Sequence, residues 1–80
     1  MDFINSLDTI LQAYDKGLVI AKRINDSKIR AALLNNKGGA YLKFGQREQA
    51  FTFFQKAVAV YDLYRSQLYD NTHTDGETIR

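Results

Sequence analysis

Between Leu34 and Ala57 the chain reads LNNKGGAYLKFGQREQAFTFFQKA, and small and large residues recur there at helical intervals. Gly38, Tyr41, Ala50, Phe54 and Ala57 follow one another as small, large, small, large, small. Steps of three and four residues place each subset on one helical face. Gly45 interrupts the series where two antiparallel helices need a turn, and glycine takes positive φ without steric cost. A helical hairpin of this kind cannot bury both its faces alone, so it stacks against neighbours. The pattern predicts an all-α packing module of antiparallel helical hairpins rather than an active site.

Size sharpens that reading. Eighty residues make one domain, and a chain this short buries only about 60% of the surface its unfolded form exposes. Without cysteine, neither a disulfide nor a thiolate metal site staples it. Without proline, every helix break must come from glycine or polar residues. A hydrophobic fraction of 45% is ordinary for a globular protein and too high for a disordered tail. No apolar run approaches the roughly 20 residues of a membrane span, and MDFINSLD has neither a basic region nor an apolar core. A soluble, cytoplasmic protein is expected.

Periodicity predicts three helices over residues 1–69, at about 3–24, 28–43 and 47–68. Phe3, Leu7, Ile10, Leu11, Tyr14, Leu18 and Ala21 recur at helical spacing, and Lys22 and Arg23 fall where the helix dipole favours cations. Asp26 or Ser27 is placed to cap the second helix. Gly38-Gly39 inside it costs about 2 kcal/mol relative to two alanines, a cost tolerated where backbones approach closely. The second and third helices are therefore expected to cross at Gly38, with Phe54 filling the space and packing toward Tyr41. Replacing a fully buried Phe54 by alanine would cost about 3 to 5 kcal/mol. Residues 70–80, DNTHTDGETIR, form a polar C-terminal tail of the kind that frays.

From those residues the chain resembles the tetratricopeptide repeat family, in a long-pitch variant. Leu34, Gly38 and Tyr41 match the family's large, small and aromatic positions in a first helix, and Gly45 matches its turn glycine. Ala50, Phe54 and Ala57 match the small-aromatic-small series of a second helix. The first helix also looks like the second helix of a preceding repeat, since Ile10, Tyr14, Gly17 and Leu18 stand 40 residues before Ala50, Phe54, Ala57 and Val58. Lys37 departs from the pattern at a position usually held by leucine, so its stem must snorkel or its site must be less buried. Asp62 departs where proline often ends the helix, which agrees with a long third helix. The resemblance implies a fragment of an α-solenoid.

It also implies a binding face. Ligands in this family lie along the first helices of successive repeats, and the matching positions are Asn35, Gly39, Leu42 and Lys43, with Asn36 beside them; a bound segment is expected near Asn35, Asn36, Lys43 and Arg47. Asn36 matches an asparagine that contacts the ligand backbone or carboxylate in peptide-binding members. The rest of that carboxylate clamp does not carry over, because Asn35 and Gly39 stand where the family has lysine and asparagine.

Charge adds to this. From Lys16 to Lys56 there are nine basic residues and two acidic ones, Asp26 and Glu48, between acidic ends. The expected partner is a protein or peptide segment, acidic in character, while charge alone speaks for nucleic acid. The alternative is a solenoid-capping or self-associating segment without a separate ligand, and a homo-oligomer would use the stripe at Phe53, Tyr61, Tyr64 and Leu68. No catalytic residues, cofactor or metal site are expected. His73 is the only histidine, and Lys37-Gly38-Gly39 lacks the order of a phosphate loop.

Overall fold

The computed structural model describes the backbone of residues 3–79 and the side chains of residues 6–69. It is all-α, with no strand among the described residues: α1 spans Phe3–Arg23, α2 Ser27–Lys43 and α3 Arg47–Ile79. Consecutive helices reverse direction. Gly17 of α1 lies against Leu33 of α2, and Gly38 of α2 lies against Ala50 and Phe54 of α3. Among the described residues α1 and α3 each pack on α2, and their backbones do not come close to each other. The result is elongated, 61 × 23 × 11 Å with a radius of gyration of 16.1 Å, against about 12 Å for a compact domain of this length.

Two near-identical turns produce the reversals. After α1, the amide of Asp26 donates to the carbonyl of Ala21 and that of Asn25 to Lys22. After α2, the amide of Gln46 donates to Tyr41 and that of Gly45 to Leu42. Both pairs are the bonds of a Schellman cap, whose middle residue must be left-handed. Asn25 has φ 59° and Gly45 has φ 79°. Asparagine is the side chain that tolerates this conformation best after glycine. Asp26 then caps α2, its carboxylate accepting from the amide of Ile29 at 2.9 Å.

The boundaries differ from the expected ones in a single substantial way. α3 does not stop near Leu68 but continues to Ile79, 33 residues in all. Proline is the residue that would have broken it, and none is present. The expected polar tail at 70–80 thus carries helical backbone as far as Ile79, while its side chains, His73 included, lie outside the described residues.

The interior is built from small residues. Ala21, Ala31, Ala40, Ala50 and Ala57 are buried, as is Leu7, and no large described side chain is completely enclosed. Phe54 is half-buried, so its truncation should cost nearer 2 kcal/mol than the figure for a closed core. Close approach centres on Gly38, where an added Cβ would stand 2.6 Å from two atoms of the Phe54 ring and 3.1 Å from the Ala50 carbonyl. Gly39, one residue on, faces open space. Adjacent glycines therefore have opposite roles, and denaturant melts of Gly38→Ala and Gly39→Ala should separate them. Gly38→Ala should lose about 1 to 3 kcal/mol through overpacking. Gly39→Ala should gain up to about 1 kcal/mol from helix propensity.

Candidate functional site: the groove between α2 and α3

On the side of α2 away from α1, the small residues of α2 leave a groove against α3. It has a volume of about 360 Å³ and is lined by Lys28, Ala31, Ala32 and Asn35 from α2 and by Ala57, Val58 and Tyr61 from α3. Alanine at the floor keeps the helices close, and the absence of bulk on the α2 rim keeps the groove open. A second depression continues along α3, where Phe51, Phe54, Gln55 and Val58 meet the surface. Phe51 is 63% exposed, Val58 61% and Leu68 52%. Together they form an apolar band that no described element covers.

Of the expected binding residues, one lies in this groove. Asn35 lines it, and Asn36 and Gly39 are exposed on α2. Lys43 and Arg47 are exposed on either side of the α2–α3 turn. The structural residues sit as packing requires, with Gly38, Ala50 and Ala57 buried, Leu34, Tyr41 and Phe54 half-buried, and Gly45 in the turn. Of the four residues expected for self-association, Tyr61 and Leu68 are exposed, whereas Phe53 and Tyr64 are half-buried. Phe53 stacks on Tyr41 at 5.4 Å between centroids, and Tyr64 lies 5.8 Å from Tyr61. Phe51 and Val58, absent from the expected set, carry much of the exposed band.

Behind the groove lies an arrangement that sequence reasoning missed. Lys37 is only 9% exposed, yet its ammonium donates to the Asp15 carboxylate at 2.6 Å. The same Nζ stands 4.3 Å from the Phe53 centroid, and Lys56 Nζ stands 4.8 Å from it. Lys37 thus does not escape to solvent by snorkelling, and its site is as enclosed as the leucine expected there would be. Its charge is held by a carboxylate from α1 and an aromatic face from α3. The partners are 22 residues apart, and nothing in the local sequence around Asp15 marks it as anything but a surface acid. The departure at Lys37 was itself the available signal.

Among the described residues there is no group of three or more histidine, cysteine, aspartate or glutamate side chains able to hold a metal. No described helix is long and apolar enough to cross a membrane. Comparison of the chain with family models, with curated proteins and with solved structures finds no match in any of the three.

The two members of the Lys37 pair should respond differently to substitution. Asp15 is 55% exposed and readily rehydrated, so Lys37→Leu should change unfolding free energy by no more than about 1 kcal/mol. Asp15→Ala leaves a buried ammonium without its acceptor and should cost about 1 to 3 kcal/mol. Urea melts of both variants and of the double variant measure the coupling directly.

Proposed function

We propose that this chain is a noncatalytic protein-protein interaction module, a tetratricopeptide-like fragment of an α-solenoid that holds a peptide or protein segment along the α2–α3 groove. The observation that supports this reading is the disposition of large apolar side chains. The interior is filled by alanines, while Phe51, Val58, Tyr61 and Leu68 stand exposed beside an open groove. An apolar band of this extent is the mark of an interaction surface. Two antiparallel helices with small residues between them form a cradle that suits another helix or an extended segment.

The rim chooses the partner's charge. Lys28 lines the groove, and Lys43 and Arg47 are exposed on either side of the α2–α3 turn, so an acidic segment is the one this chain would attract. Exposed charges of this sort contribute mainly to encounter rate and orientation, and the apolar band supplies most of the affinity. Titration of the chain with acidic, amphipathic peptides at two salt concentrations tests the reading. Saturable binding that weakens as salt rises is expected, and no saturable binding at either salt overturns it. Reversing both Lys43 and Arg47 to glutamate should weaken binding roughly fivefold, the value of two exposed ion pairs.

A further inference from the structure

The groove between α2 and α3 has a hydrocarbon floor and a charge at one end only, and we propose that it holds a free medium-chain fatty acid, the tail along the alanines and the carboxylate on Lys28. This ligand goes beyond the peptide reading and uses the same groove. Direction along the groove follows from the helix crossing. Gly38 faces Ala50 and Phe54, and the helices run antiparallel, so Lys28, ten residues before Gly38, comes opposite the region of Tyr61. Both residues line the groove. Asn35 lines its opposite end, three residues from the crossing. Between these ends the lining is Ala31, Ala32, Ala57 and Val58.

Such a floor suits a hydrocarbon tail. Methyl groups offer no partner to a buried amide, whereas a row of methylenes needs none. The head has its own end of the groove. Lys28 is exposed and makes no ion pair among the described residues. Asp26, two residues earlier, is already engaged by the Ile29 amide. One ammonium, with the Tyr61 hydroxyl as a second donor at that end, balances a monoanionic head. A volume of about 360 Å³ falls within the range of small-molecule sites. Length limits the tail. Lys28 and Asn35 are seven residues apart, about 10 Å of helix. With bonds of about 1.5 Å, a zigzag chain of about eight carbons covers that distance. Beyond Asn35 the helices close on each other, where the Phe54 ring lies against Gly38.

A chemical-shift titration of the full chain with octanoate, kept below its micellar concentration, tests this ligand. Saturable binding with Kd below about 5 mM is expected, with the amide shifts centred on Lys28, Ala32, Val58 and Tyr61. Affinity should rise about twofold per methylene from hexanoate to nonanoate, as for half-buried methylenes, and then level off. Octylammonium should bind at least about fivefold more weakly than octanoate. Lys28→Glu, exposed in the first turn of α2 where an acid suits the helix dipole, should reverse that preference. Ala32→Phe, at an exposed position on the groove wall, should abolish binding while helix content stays unchanged. A weaker Kd, shifts centred elsewhere, equal affinity for octylammonium, or affinity that climbs undiminished to dodecanoate overturns the proposal. A chain that binds acidic peptides but not octanoate overturns this inference alone. Octanoate binding without peptide binding removes the interaction-module reading and leaves this one standing.

Discussion

One enclosed ammonium ties all three helices of this structure together. Lys37 sits where an α-helical layer would ordinarily place a hydrocarbon, and its charge is paired with Asp15 of α1 while it rests on the Phe53 ring of α3. Taking a lysine from water is expensive, and the cost is offset only when an opposite charge and polarisable surface are held in place. Asp15 supplies the first and Phe53 the second. Because they come from α1 and α3, the lysine demands that both outer helices stand at a fixed height along α2. Apolar packing alone is permissive about small slides of one helix along another. A charge with two fixed partners is not, and registry is the best-attested use of such a buried polar group.

The distribution of side-chain size follows a second logic. Alanines bring the helices together, so close packing proceeds without consuming the larger residues. Those remain on the surface of all three helices, with Val19 and Ile20 exposed on α1, Ile29 and Leu42 on α2, and Phe51, Val58, Tyr61 and Leu68 on α3. A closed three-helix bundle would have turned them inward. Here, among the described residues, α1 and α3 each pack on α2, and the far side of α3 is left bare. The exposed band is thus a direct result of how the helices are ordered around α2.

Much of this was legible in the sequence, for reasons that are local. Three and four residue spacings identified the helices, Gly45 marked the second turn, and the pair Gly38 and Phe54 located the closest crossing. Asp26, a capping residue followed by an amide three positions on, was readable too. What escaped depended on long-range placement. The end of α3 was set too early because the composition of residues 70–79 suggested fraying, yet nothing there forces the backbone out of a helix. Phe53 was grouped with Tyr61, Tyr64 and Leu68 in a stripe for self-association, because spacing alone does not say which phenylalanine faces a neighbouring helix. Only the angle between helices decides that Phe53 lies toward Tyr41 and Lys37 while Phe51 lies away from them. For the binding residues, sequence reasoning put Asn35 on an expected ligand face of α2 and did not anticipate a groove against α3 floored by alanines.

The connectivity of the helices has a kinetic consequence. Each hairpin closes through a turn of three residues, so nearly all stabilising contacts join segments close in the chain, a topology that folds fast. The order of opening is equally constrained. Among the described residues the α1 backbone comes close to α2 only, whereas α2 is packed from two sides. Detaching α1 breaks the Asp15 contact but leaves the α2–α3 hairpin, its crossing at Gly38 and its groove intact. Amide protons of α1 should therefore exchange faster than those of α2, with opening expected first at the N-terminal edge.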